Sequence, residues 1–566
     1  MKITLFAPFA AIQPHALTEL SYLSKFREFD VTILRCNTIF ETDCLVHLAH
    51  GLGIHSSNVE RKAICGRCIA ARDILKQMTD LPTKTLDNYY DREFESDIID
   101  ILSKLNRKNW KDLEIQGIQV GKLAAYEFLI QNKLNSLVIP DILFPAFTNQ
   151  LANVLRTLNA ANKFFDLEKP ELVIMYNKLY SINSIFAAVA AQRGIEIKSL
   201  QQCGPLFDIE SRLRVTSNSV QDSTLNTSTE WRSASSNELK RSEIRKVHKV
   251  LLTYLGAKSP WIYSAPVNPN MNSSKIKNVL GIPEGKIVVL VPLSSGDELF
   301  ASIVAGHIGL ESDPYLDQSK WIEEILRSAT QNQDMYFIIR PHPREFPNKR
   351  ESKLSMHAKD LIDFFERIEI PQNVVINWPD QEISIYQFVG IVDLVLNSTS
   401  SVGAEFAALG VKTLVRSHLN LEAYPPEISP SLQNFDSLGS GIRAVLLNLN
   451  TLNKMALAYR WLYFRDFSSS QRTFAVGARR WWKLIGLLIK FRLKYRKFDI
   501  SLKFLTKSVF RLTRSIERLG VYFDSKVSTA GFKRLNALRR IMGLQAQEVS
   551  WIRNSNSKII KTISSQ

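Results

Sequence analysis

The chain has 566 residues, length for roughly two to four domains, with 45% apolar, 10% aromatic and 22% charged residues and only five cysteines. These values exclude a collagenous, wholly disordered or disulfide-stapled chain. The net charge of +17 is unevenly placed: residues 471–566 carry 22 Lys and Arg against 4 Asp and Glu, while residues 1–470 lie within one charge of neutrality. The basic pI therefore does not argue for nucleic-acid binding by the body of the protein, and no nucleic-acid partner is expected.

No stretch reaches the roughly 18–20 uninterrupted apolar residues that span a bilayer; the best, Trp481 to Ile489, is short and contains Lys483. The apolar run after Lys2 imitates a signal peptide. A helix predicted immediately after it, and the lack of an A-x-A-like cleavage site, favour a first buried strand instead. The expected compartment is the cytoplasm.

In chain order, residues 2–6 predict a strand, Pro14–Phe26 a helix and Val31–Cys36 a second strand, the opening rhythm of a doubly wound sheet. A cysteine- and histidine-containing insertion runs over residues 36–73. Helical patterns follow at Ile98–Leu105 and Gly121–Gln131. The α/β rhythm returns with a strand at Leu172–Tyr176, a helix at Ser184–Gln192 ended by Gly194, and a strand starting at Ile195. Between Thr216 and Asn237, 14 of 22 residues are Ser, Thr or Asn, the composition of a linker. A second series predicts strands at Ile287–Val291, Tyr336–Ile339, Val374–Ile376, Leu394–Leu396 and Lys412–Val415, with helices at Trp321–Ala329 and Val402–Leu409. Strands alternating with helices imply parallel sheets. The expected fold is α/β: two Rossmann-like doubly wound domains facing a cleft, over residues 1–265 (with a linker at about 211–275) and 276–470, followed by a basic helical tail over 471–566.

Ligands of open parallel sheets bind at the carboxyl ends of the strands, and two motifs fall there. Arg340-Pro341-His342-Pro343-Arg344 follows the strand 336–339. The prolines hold His342 in an extended loop, where its imidazole and the flanking arginines suit a phosphate. Ser398-Thr399-Ser400-Ser401 runs into a helix whose free N–H groups suit a phosphate, and Glu405 one turn later suits ribose hydroxyls. Taken singly, each has a plain alternative: a loop histidine, a helix cap, a first-turn carboxylate. Ser294 and Ser295, in a small Gly-containing loop after strand 287–291, also qualify for phosphate contact, with an ordinary turn as the alternative.

Residues 286–415 resemble the nucleotide-binding domain of bacterial surface-carbohydrate GT-B enzymes, among them capsule polysaccharide biosynthesis proteins, Kdo transferases and polysialyltransferases. The resemblance is carried by Arg340, His342, Pro343, Ser400, Ser401, Glu405 and Gly410. It implies a GT-B glycosyltransferase acting in capsule or surface-polysaccharide synthesis without a catalytic metal. The donor would be a CMP-, CDP- or UDP-linked nucleotide sugar and the acceptor a saccharide or lipid-linked. His342 and the serines would hold phosphate and Glu405 the ribose. Nucleotide-sugar epimerases and glycerophosphotransferases share the skeleton, and a non-catalytic binding scaffold of the same fold is a further alternative.

An inverting transfer needs a base in the first domain. His15 and Glu19, four apart on one predicted helix face, are the candidates, against a merely solvated face. Cys36, Cys44, Cys65 and Cys68, with a C-x-x-C element around Gly66, suggest a structural zinc; buried unreactive thiols and a redox pair compete with it. In the tail, Leu502, Leu505, Val509, Leu512, Ile516 and Leu519 form one helix stripe among Lys and Arg. That pattern suits the anionic inner-membrane surface, or equally a stripe docked on the protein itself.

Overall fold

The computed structural model describes residues 1–9, 19, 22–26, 28–40, 44–50, 52, 56–78, 81–209, 212–217, 228–257, 259, 262–307, 318–348, 352–398, 400–416, 425–448, 450–472 and 545–564. Two sheets organise it. The first comprises β1 (Lys2–Phe6), β2 (Asp30–Arg35), β3 (Thr83–Thr85), β4 (Leu172–Tyr176), β5 (Glu196–Gln202), β6 (Arg212–Thr216) and a last strand from far down the chain. The second comprises β7 (Ile287–Pro292), β8 (Met335–Arg340), β9 (Val374–Ile376), β10 (Leu394–Asn397) and β11 (Lys412–Val415). The far strand is β12 (Gln471–Arg472), which pairs antiparallel with β6 and so brings the chain back to the first sheet.

Strand order in the first sheet is β3-β2-β1-β4-β5-β6-β12, and in the second β9-β8-β7-β10-β11. All pairs from β3 across to β5 are parallel, as is the whole second sheet. Both sheets are thus doubly wound, with the order reversing between β1 and β4 and between β7 and β10, the crevices where such sheets take ligands.

The strands are apolar on both faces because helices cover both. Side chains alternate between faces along each strand. Ile3 and Leu5 therefore enter one core with Val31 and Ile33, while Phe6 and Leu34 enter the opposite core with Val173 and Met175. In the second sheet Val288 and Leu290 point to one core, Val289 and Val291 to the other.

Three sequence expectations change. The cysteine-rich segment is not an insertion: with the helix Asn58–Met78 it forms the crossover between β2 and the parallel β3. The linker is structured at both ends, since β6 belongs to the first sheet and the helix Arg241–Leu255 contributes Ile244, Val247 and Leu251 to a second-domain core. The tail is divided: Gln471 and Arg472 complete the first sheet, and the helix Gln545–Ser564 buries Ile552 and Ile559 in the second domain. That helix is pinned by Glu548, 1% exposed, which pairs with Arg460 at 2.5 Å and accepts the Leu239 backbone N–H at 2.9 Å. The apolar stripe at 502–519 lies outside the described residues.

The domains meet along the helix Val120–Asn132 of the first and Gly296–Val304 of the second. Lys133, just past the first helix at φ +52° and 1% exposed, donates to the Arg344 carbonyl at 2.7 Å and the Lys353 carbonyl at 3.2 Å. His307 Nε2 lies 3.1 Å from the Leu179 carbonyl.

Candidate functional site

A cavity of about 240 Å³ opens at the β7/β10 crevice. Its walls come from the end of β7 (Pro292, Leu293), the β8 loop (Arg340 to Pro343), the β10 loop (Ser400, Ser401) and Glu405. The linker closes it with Tyr254 and Ile262 to Ser264, and the first domain reaches it through Leu206. The sheet's right to place a ligand here follows from topology alone; the side chains decide which ligand.

Arg340 is 4% exposed and donates to the Asn377 side-chain oxygen and, at 2.7 Å, to the Ile383 carbonyl. Burial alone lowers its pKa to about 10. It has no carboxylate ion pair among the described residues, so the cavity floor holds a cation whose charge an anionic ligand would balance. His342 has its pKa lowered to about 4 by burial, then by Arg344, with Asp297 opposing and Arg340 adding to the fall. The ring is therefore neutral at physiological pH. Its Nδ1 accepts the Arg344 backbone N–H at 3.3 Å, which assigns the proton to Nε2 and leaves a donor on a side chain in the cavity wall. Pro343 closes this turn by starting a short 3₁₀ segment, Pro343–Glu345.

Glu405, 3% exposed, accepts from Tyr386 Oη at 2.6 Å and Ser401 Oγ at 3.2 Å. Burial raises its pKa. Tyr386 itself stacks on Tyr254, ring centroids 6.4 Å apart, so the carboxylate is oriented by an aromatic layer. Asn397, at the end of β10, donates to the Ser400 carbonyl at 2.7 Å and shapes the loop.

The structure thus brings together Arg340, His342, Pro343, Ser400, Ser401 and Glu405. It does not bring in the others. Arg344 turns away from the cavity: its guanidinium pairs with Asp297, fully buried, and bonds Ser295 Oγ at 2.7 Å. Burial works against that charge, but Glu298 and Asp297 outweigh it and raise the pKa. Ser295 is consumed in the same cluster, donating to Asp297 at 2.6 Å, and the Ser294 carbonyl accepts from Gln318 at 2.9 Å. The reason is geometric: the cavity wall ends at Leu293, and the next turn packs its polar groups against the base of the β8 loop. Ser398 is not part of the wall, and Thr399 lies outside the described residues. Sequence reasoning missed Tyr386, Tyr254 and Tyr263; tyrosines in apolar stretches give no signal until the linker folds over the sheet.

In the first domain, His15 lies outside the described residues. Glu19 is 5% exposed, and burial pushes its pKa up to about 7, with Arg35 pulling the other way. The field of Glu19 also reaches Tyr176. Arg35 and Tyr176 end β2 and β4, so Glu19 lies near the carboxyl ends of the first sheet's strands.

The four cysteines line one small cavity of about 30 Å³ with His47, whose Nε2 lies 3.3 Å from Cys65 Sγ. Yet Cys65 and Cys68 are not on a turn. They lie within the helix Asn58–Met78, and with Arg61 and Ile64 make the i, i+3, i+4, i+7 inner face of that helix. Gly66 points into open space. Burial pushes the Cys44 thiol up to about 12 and the Cys36 thiol well above its usual value. Among the described residues no group of three or more His, Cys, Asp or Glu is arranged to hold a metal ion.

Two doubly wound α/β domains place the chain in the Rossmann-like fold class. No family model and no curated protein sequence matches it. Among solved structures it is similar to KpsC, the beta Kdo 2,4 transferase of Thermosulfurimonas dismutans, at 11% identity and TM-score 0.28 over 57% of this chain and 88% of that one. It is also similar to the UDP-GlcNAc 2-epimerase of Neisseria meningitidis bound to UDP-GlcNAc (12%, TM-score 0.22, 87% and 100%). A third is CalG4, the calicheamicin glycosyltransferase (12%, TM-score 0.25, 87% and 99%). Among the described residues no helix is long and apolar enough to cross a membrane.

Proposed function

We propose that the chain is a glycosyltransferase that uses a nucleotide-sugar donor (CMP-, CDP- or UDP-linked) and a saccharide or lipid-linked acceptor in surface-polysaccharide assembly. The observation that carries this reading is the cavity at the β7/β10 crevice in which a buried Arg340 without a carboxylate partner among the described residues and the His342 Nε2–H stand together with the Glu405 carboxylate. Arg340 and His342 would stabilise the negative charge that grows on the departing phosphate. Glu405 would accept from ribose hydroxyls, competing with Tyr386 for its second oxygen. Glu19, with its pKa near 7, would take the proton of the acceptor hydroxyl. None of these roles calls on a metal ion.

A carboxyl tuned near 7 would equally serve to remove a proton from carbon, which keeps a nucleotide-sugar epimerase as the second reading. The two differ in whether an acceptor is consumed.

The test is thermal shift of the purified chain against CMP, CDP, UDP, GDP and NAD, with 2′-deoxy forms of any nucleotide that binds, and His342→Ala in parallel. A ligand at 100 times its dissociation constant should add about 2.7 kcal/mol. The reading expects a pyrimidine-selective shift that is lost in His342→Ala and reduced for the 2′-deoxy form. No shift with any nucleotide sinks it. If a nucleotide binds, product analysis with the matching nucleotide sugar alone separates epimerisation, which proceeds without acceptor, from transfer.

A further inference from the structure

Another cavity lies on the seam between the helix Arg241–Leu255 and the helix Gln545–Ser564. Its volume is about 250 Å³. Arg241, Arg245 and His248 contribute from one helix at spacings of four and three; Trp551, Asn554 and Lys558 contribute from the other at spacings of three and four. Each set is one helix face, so two adjoining helices present their basic sides to a common notch.

The two arginines there carry charge that no carboxylate of the described residues balances. Arg241 and Arg245 make no ion pair among the described residues. Each of the two helices has one carboxylate, and neither lines the notch. Glu243 accepts the Lys240 backbone N–H at 2.8 Å, and Glu548 is held by Arg460 and Leu239. The His248 Nε2 atom is buried with no hydrogen-bond partner. An orphaned buried nitrogen costs free energy unless something bonds it. In sequence, residues 473–544, the most basic part of the chain, directly precede the second helix.

We propose that this notch is a binding site for a phosphate ester. Two guanidiniums and an ammonium suit a doubly charged phosphate, the arginines by paired N–H donors. With its proton on Nε2, His248 would donate the bond that fixes one oxygen. Trp551 and the Asn554 amide then face the group esterified to the phosphate, for which the cavity leaves room: its volume far exceeds the ~30 Å³ of one water. The same chemistry is offered by a free phosphate ester and by the headgroup of an anionic phospholipid. Neither source requires the first cavity to bind a nucleotide.

Two measurements on the full chain decide the matter, each made on the parent, on Arg241→Gln/Arg245→Gln and on Lys558→Gln. The altered side chains are exposed, so their unliganded melting temperatures should stay near the parent's. The first measurement is the melting temperature against glycerol 3-phosphate, with glycerol as the uncharged control. The second is co-sedimentation with phosphatidylcholine vesicles, with and without phosphatidylglycerol. A shift with glycerol 3-phosphate that weakens roughly tenfold or more in the double variant supports the site with a free ester as ligand. Vesicle binding that requires phosphatidylglycerol and weakens similarly, without a response to glycerol 3-phosphate, supports it with a lipid headgroup. If neither readout depends on Arg241 and Arg245, the proposal is overturned, even where the chain still binds anionic vesicles through other basic residues.

Discussion

Lys133 of the first domain reaches across the interface and donates to the carbonyl of Arg344, 2.7 Å away, in the same loop that carries His342. The bond is buried, and a second one to the Lys353 carbonyl holds the ammonium from the other side. The position of the His342 loop is thus set jointly by the β8 strand below it and by the neighbouring domain. Lys133→Met removes both bonds and leaves two carbonyls without their donor. The expected result is a loss of roughly 2–4 kcal/mol in stability, at about 1–2 for each abandoned carbonyl, read from denaturant unfolding. If nucleotide binds as proposed, its affinity should fall as well, although Lys133 does not line the cavity.

Arg344 and His342 are two residues apart and should fail in different ways. Arg344→Met strands the fully buried Asp297, and breaking a buried pair typically costs about 3–5 kcal/mol. Exposed or rim arginines cost far less. A large fall in melting temperature is therefore expected for Arg344→Met, whereas His342→Ala should leave the fold nearly as stable and act on ligand. Equal stability of the two variants would contradict the assignment of Arg344 to the Asp297 cluster.

Glu19 carries a pH signature of determined sign. Its folded pKa of about 7 lies above the ordinary carboxyl value of 4.5 because burial disfavours the charge. Between those values the folded chain holds a proton that the unfolded chain has released, so stability falls as pH rises from about 4.5 to 7. Glu19→Gln should flatten that part of the stability profile, by at most about 3 kcal/mol at 1.36 kcal/mol per unit. If Glu19 is the base, the rate of the parent should climb with pH around 7 and the Gln variant should lose that limb.

The last helix should be needed for a stable second domain. Glu548→Ala leaves Arg460, 8% exposed, without its carboxylate, and the Leu239 N–H without an acceptor. About 3–5 kcal/mol of destabilisation is expected, measurable as a drop in melting temperature. An effect under about 1 kcal/mol, the range of surface pairs, would show that the helix is not docked in solution.

Much of the fold was legible because its cause is local. Unbroken apolar strands such as Ile287–Val291 and Leu394–Leu396 can exist only between two helical layers, and their alternation with amphipathic helices implies parallel order. The segment at Cys36–Asp73 was harder. Cys65 and Cys68 read as a metal knuckle because three-residue spacing is shared by turns and by one face of a helix, and nothing local separates the two. For the tail, charge content describes composition, whereas the place of Ile552 and Ile559 depends on a core built from residues between Trp231 and Phe464.

For the site, the sequence by itself determined which strand ends carry the two polar motifs. Pro341 and Pro343 forbid a helix around His342, and Ser400 to Glu405 must follow β10 into the next helix. These are constraints within a few residues of backbone, and short-range sterics settles them. Only the tertiary structure decided which of the motif residues face the cavity. Arg340 and Arg344 are equivalent in composition, yet one meets Asn377 at the cavity floor and the other meets Asp297 behind it. Which way each guanidinium turns is fixed by where a distant carboxylate or carbonyl has been packed, and that is a property of the folded sheet rather than of the chain's local spelling.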